Sequence, residues 1–279
     1  MSRTHRIYWI TCAVLGVVAL LWLLPTLWMV SLSFQPNDVL SRTTSNFALG
    51  LLPLPFTWEN FVRLFTLGLT PRWFLNSIVV SGGMTLLVIV LSTTAGYAFA
   101  RIPFKGRNLV YVFVLSGMMI PEQAVFIPLY TMFADWQIHN TYGALILPRL
   151  AVPIGVFLMT QFFRGIPRES EEAAMLDGAG RWTIFRKIML PLAVPAVTTL
   201  AILTFLYAWN DYLWPLVSAN RKEMFTITLG LASIQSNFAQ SEGLGRIMAS
   251  GVMASLPVVL LFLVFQRYVV RGIAMGTSK

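Results

Sequence analysis

Apolar residues in this chain run together in long blocks, separated by shorter polar stretches in which the cations collect. A bilayer core needs about 20 apolar residues of helix to cross it, and six blocks meet or approach that length. Residues 7–34 and 73–100 contain no charged side chain. Block 109–130 is interrupted by Pro121 and Glu122, and block 142–163 carries Pro148, Arg149 and Pro153 in its first half. Blocks 192–214 and 247–270 complete the set. Pro and Gly do not veto these helices, because packed membrane spans tolerate both. The pattern predicts an all-α membrane protein with six transmembrane helices, forming one membrane domain over residues 1–279 without an internal repeat. Arg3 and Arg6 ahead of the first block also fit the start of a secretion signal. That block exceeds a signal core of about 7–15 residues and no clear A-x-A site closes it, so it reads as a retained span.

Only 11% of the 279 residues are charged, against about 25% in soluble domains, which argues against a large soluble core. The net charge of +9 raises the possibility of nucleic-acid binding, but a membrane protein gathers Lys and Arg on its cytoplasmic side. Arg3, Arg6, Arg101, Lys105, Arg107, Arg164, Arg168, Arg181, Arg186, Lys187, Arg267, Arg271 and Lys279 fall on one side of the six-span scheme. Those on the other side, such as Arg42, Arg149 and Arg221, are spread over longer segments. This asymmetry predicts cytoplasmic N- and C-termini and a multi-pass protein of the cytoplasmic membrane, in contact with lipid and not with nucleic acid. Cys12 is the single cysteine and His5 and His139 the only histidines, so neither a disulfide nor a thiolate or histidine metal site is expected. On the outer side, segment 35–71 is expected to be extended and loose, and 225–234 to form a short strand or surface helix.

The segment between the fourth and fifth blocks, residues 164–191, changes character. Gly165 and Pro167 break the preceding helix, and Glu169, Glu171 and Glu172 fall in the first turns of a new one, where negative charge suits the helix dipole. Gly178 and Gly180 end that helix, and a second is expected from Arg181 to Leu190, stopped by Pro191. Trp182, Phe185, Ile188 and Met189 share one face of it at helical spacing. Small residues Ala173, Ala174 and Gly178 would let another protein approach the backbone, Glu172 offers it a carboxylate, and a Cβ at Gly178 is expected to crowd the turn. No Lys follows a Gly, so no phosphate-binding loop is present.

The run Glu172-Ala173-Ala174, three residues including Asp177, Gly178, nine residues, then Ile188-Met189-Leu190-Pro191 resembles the EAA loop of bacterial ABC importer permeases. The stretches 74–77, 95–101, 119–121, 127–130, 161–167 and 209–216 are similar to MalG-like permeases for oligosaccharides and glycerol-3-phosphate derivatives. The resemblance implies a cytoplasmic coupling loop at 164–191 that fits a cleft of an ATP-binding subunit. It assigns coupling to Glu172, Ala173, Ala174, Asp177, Gly178, Ile188, Leu190 and Pro191. It further implies a homologous second permease, two ATP-binding cassette subunits that hold ATP and Mg, and an extracytoplasmic solute-binding protein. The chain itself would need no cofactor and would not be an enzyme.

Two places could meet a solute. Glu122 would lie about 20 Å into its span if the helix were straight, and a carboxylate at that depth faces protein or water. It either bonds a polyol in the pathway, pairs with another helix, or sits near the outer interface. Trp209, Asn210, Asp211 and Tyr212 combine aromatic faces with polar groups suited to a sugar, although aromatic belts at interfaces share that composition. The alternative solutes are a glycerophosphodiester or a polyamine. An ion-coupled transporter would need a relay of buried carboxylates that the spans lack, and no H-E-x-x-H or G-x-S-x-G supports a membrane enzyme.

Overall fold

The computed structural model describes residues 3–43, 55–66, 68–236 and 243–277, and all regular structure among them is helical. Lys279, residues 52–54 and the rest of 44–54, and residues 237–242 lie outside the described residues. Three helices are long and apolar enough to cross a membrane: Ile7–Ser33 within α1 (Arg3–Ser33), α4 (Thr70–Arg101), and Leu244–Gln266 within α15 (Leu244–Thr277). Three bent helix pairs raise the count to six if each makes one span. The described residues form two compact units, taken separately below: residues 1–72 with 230–257, and residues 73–229 with 258–279.

In the first unit every residue from Ile7 to Leu23 is exposed, as expected for a helix whose solvent is lipid. Burial begins at its end, with Ser31, Leu32 and Ser33. Two short helices, α2 (Asn37–Thr43) and α3 (Glu59–Thr66), occupy the segment expected to be loose. They are tied down by Asn60, which is buried and donates to the carbonyls of Ser33 (2.9 Å) and Gln35 (2.8 Å). Asn60 also accepts from Asn37, whose own Oδ1 accepts from the Gly245 amide. Phe34, Phe56, Trp58 and Phe61 stack around this junction. A Ser/Thr/Pro-rich composition hid these long-range bonds, which no local pattern announces.

The second unit is organised by α4 against α8 (Pro153–Gly165). Their backbones approach closely at small residues. A Cβ on Gly96 would meet Met159 at 2.6 Å, and one on Gly155 would meet the Ser92 hydroxyl at 2.6 Å. This is the small-residue contact by which membrane helices gain dispersion energy. Met84, Val88, Tyr97, Met159, Phe163, Ile184, Phe185 and Met189 form the core around it. At the other end of α4, Asn76 donates to the carbonyls of Glu223 and Phe225 and accepts from the Tyr142 hydroxyl, and Ser77 accepts from the Ile227 amide. These bonds hold the 222–227 segment and lead into α14 (Ile227–Ser236), the helical alternative for that stretch.

The broken pairs revise the straight spans expected from hydropathy. The third block forms α5 (Arg107–Ser116), a 3₁₀ turn to Met119, and then, after a 94° bend, the 3₁₀ turn Glu122–Val125 and α6 (Phe126–Asp135). Glu122 therefore opens a new helical segment and does not sit deep in a straight one. The fourth block bends by 52° between α7 (Tyr142–Ile146), with its 3₁₀ extension to Arg149, and α8. The fifth starts at α12 (Val194–Trp209), bent 75° from the helical run Arg181–Leu192.

Candidate functional site

Two regions of the second unit carry the candidate residues. In the first, α9 (Glu169–Leu176) begins after Pro167 and collects Glu169, Glu171 and Glu172 in its first turn. Gly178 ends it with φ +79°. A Cβ at Gly178 meets no atom within 4 Å, which corrects the expectation of crowding: the left-handed backbone alone is what favours glycine. Glu172, Ala173, Asp177 and Gly178 are exposed, and Leu176 is 89% exposed, a high value for a leucine. Ala174 packs inward against the core.

The second helix of this loop differs from its expected form in two ways. It passes through Pro191 and ends at Leu192, with a π-helical segment, Phe185–Met189, immediately before the last turn. The buried face consists of Ile184, Phe185 and Met189, with Ile188 and Leu190 half-buried, while Trp182 is exposed and its ring lies tilted against that of Phe185, 5.4 Å between centroids.

The charges behind α9 were read from sequence only as cytoplasmic cations and helix-terminal acids. Arg101, the last residue of α4, donates through Nη2 to the carbonyls of Phe163 (2.5 Å) and Ile166. Its Nε faces Glu171 Oε1 at 3.7 Å, and both side chains are buried. An arginine and a glutamate in a chain this poor in charge were the available signal, since a buried charge requires a partner.

In the second region Arg149 stands between Glu122 and Asp211. It pairs with Glu122 through Nη1 and with Asp211 through Nε at 3.1 Å. Its Nη1 also donates to the Tyr207 hydroxyl, which in turn donates to Glu122. The guanidinium lies 5.0 Å from the Tyr207 ring centroid and 5.9 Å from that of Phe126. The side chains of Arg149 and Asp211 are 9% and 12% exposed, whereas Glu122 is 41% exposed. The cluster carries a formal net charge of −1, open on the glutamate side. Arg149 and Tyr207 were not singled out beforehand, although an arginine inside an apolar block is itself a sign of a partner.

The remaining candidates sit beside this cluster without joining it. Trp209 is buried, its ring between Phe74 and Phe205 at 5.6 Å from each. Asn210 is exposed and its amide donates to the Leu206 carbonyl. Tyr212 is 37% exposed. Asp211 also accepts from the Trp214 amide, and the buried Trp214 donates to the Ala144 carbonyl at 2.9 Å.

Comparison with known proteins adds the following. Residues 89–275 match the family model described as binding-protein-dependent transport system inner membrane component. The chain is 37% identical to the arabinooligosaccharides transport system permease protein AraQ of Halalkalibacterium halodurans, over 97% of this chain and 96% of that one. It is 33% identical to the trehalose/maltose transport system permease protein MalG of Thermococcus litoralis, over 94% of each. In three dimensions it resembles a chain of a bacterial ABC transporter involved in the import of the acidic polysaccharide alginate, with TM-score 0.77, 24% identity, and coverage of 96% and 98% of the two chains.

Proposed function

The chain belongs to the family of binding-protein-dependent transport system inner membrane components, and from that premise we propose a specific role for it, the movement of a neutral sugar or related polyol. The chain is a multi-pass inner-membrane permease subunit of an ABC importer. The saccharide assignment is supported above all by the near full-length similarity to permeases named for arabinooligosaccharides and for trehalose and maltose. ATP and Mg are bound and turned over by two separate cassette subunits, a reading supported by the absence of any Gly-Lys pair from which a phosphate-binding loop could be built. A homologous second permease and an extracytoplasmic solute-binding protein complete the assembly.

The exposed face of α9 supports a coupling role. Glu172 and Asp177 offer charge to a basic partner, Ala173 and Gly178 leave the backbone open, and Leu176 supplies an apolar contact. Ala174 and Leu190 pack inward, Ile188 is half-buried, and Pro191 stands close to the bend toward α12. The loop is cytoplasmic because Arg164, Arg168, Arg181, Arg186 and Lys187 lie in it, and both termini share that side. Glu122, Asp211, Asn210 and Tyr212 border the solute path from the opposite end of α12, with Trp209 holding their backbone in place.

The test is co-purification of the cassette subunits together with ATP-dependent uptake in membranes. Glu172→Lys and Gly178→Asp are expected to insert normally yet lose both cassette association and uptake. Normal complex yield and normal uptake in both variants would sink the coupling reading. For orientation, in a Cys12→Ser background, a cysteine at Glu223 is expected to react with an impermeant thiol reagent from outside, and cysteines at Asn108 and Ser170 are not. The reverse pattern would overturn the placement of the loop.

A further inference from the structure

Arg101 lies where membrane helices meet the coupling loop, and one guanidinium there touches the ends of three helices. It is the C-terminal residue of α4. Its Nη2 satisfies the carbonyls of Phe163, in the last turn of α8, and of Ile166 just beyond. The Phe163 carbonyl also accepts from the Ile166 amide, and a cation at a helix C-terminus is favoured by the dipole. On the other side Nε faces the carboxylate of Glu171, in the first turn of α9. The two side chains are 4% and 6% exposed. Tyr97, one turn earlier on α4, packs its ring on Phe163 (5.8 Å) and Phe185 (5.1 Å).

Glu171 and Glu172 are neighbours with opposite fates: the first is buried against Arg101, the second faces outward. A buried ion pair is a poor source of stability, since well-packed apolar residues of similar volume do as well or better. What an apolar pair cannot do is hold the Phe163 and Ile166 carbonyls at the end of α8 and face a carboxylate of α9 from the end of α4. We infer that Arg101 and Glu171 are positioning residues that clamp the coupling helix to α4 and α8. Movement imposed on the Glu172 face is then passed to the spans and does not roll α9 over the surface of the unit. The inference rests on the coupling role proposed above and concerns transmission, not docking.

The experiment uses the full complex with its cassette subunits in a Cys12→Ser background, with spin labels on cysteines placed at the exposed positions Lys105 and Ser170. MgATP with vanadate is the only ligand added. The unmodified pair is expected to keep one narrow label-to-label distance with and without nucleotide. Arg101→Met and Glu171→Gln are each expected to broaden that distribution at least twofold. The double variant Arg101→Met/Glu171→Met relieves the uncompensated charge. It is expected to recover complex yield to within twofold of the parent while its distribution stays broad. Recovery of the narrow distribution along with the yield would reduce the pair to a structural role and overturn the inference. So would unchanged widths in all variants of a complex that traps nucleotide normally. A parent complex that binds no cassette subunits would overturn the coupling role and this inference with it.

Discussion

Two clusters in the second unit set a guanidinium against carboxylates, yet they are built for different access. The side chains of Arg101 and Glu171 are 4% and 6% exposed, and the arginine donates through Nη2 to two backbone carbonyls. Arg149 is as deeply buried, but its glutamate is 41% exposed and the balance of charge is one carboxylate in excess. The closed cluster fixes helix ends. The open one presents a carboxylate and an aromatic hydroxyl at a helix break, an arrangement that can exchange partners. Burial, more than the identity of the charged groups, separates these roles, because desolvation decides what losing a partner costs.

The largest expected effect comes from removing the cation of the open cluster. Arg149→Met leaves Asp211, 12% exposed, without its counter-ion, and is expected to lower stability by about 3–5 kcal/mol, read as a drop in the thermal midpoint of the purified complex. A loss below that of the exposed glutamate would contradict the idea that Arg149 holds the cluster together.

Next is the support beneath the closed cluster. Gly96→Leu drives a side chain into Met159 and is expected to cost about 1–3 kcal/mol, measured in the same way. The helices α4 and α8 would part where Arg101 must bridge them, so the variant should also broaden the label distances described above.

Gly178→Ala comes third. Its φ of +79° is unfavourable for a residue with a Cβ, by about 1–2 kcal/mol, and the surrounding space is open. A modest loss of stability with cassette binding retained would assign the earlier Gly178→Asp effect to added charge and bulk in the docking face. Complete loss of binding in the alanine variant would assign it to the turn.

The smallest effect is expected for Glu122→Gln. The side chain is too exposed for its ion pair to be worth more than about 1 kcal/mol, and Arg149 keeps Asp211. Stability should change little, so any change in the concentration dependence of uptake would report on the solute path. A cost equal to that of Arg149→Met would erase the distinction between the two clusters.

The helical membrane class, the positions of the apolar blocks and the helix–turn–helix form of residues 164–191 can be read directly from the order of residues. These follow from local quantities: hydropathy summed over a block, Gly and Pro at fixed offsets, and acids in a first turn. Gly178 is placed at the end of α9 for that reason, whereas Glu172 is singled out only by the likeness of the whole loop to the EAA pattern. It takes the packed molecule to turn Glu171 inward to Arg101 and Glu172 outward, and to bring Glu122, Arg149, Tyr207 and Asp211 together across as many as 89 positions of chain. The same holds for the 94° break ahead of Glu122 and the π segment at Phe185–Met189. In each case the outcome depends on a partner distant in sequence, or on one extra residue in a turn. A buried charge or carbonyl is satisfied by whichever group the packing brings within reach, and periodicity along the chain carries no record of that choice.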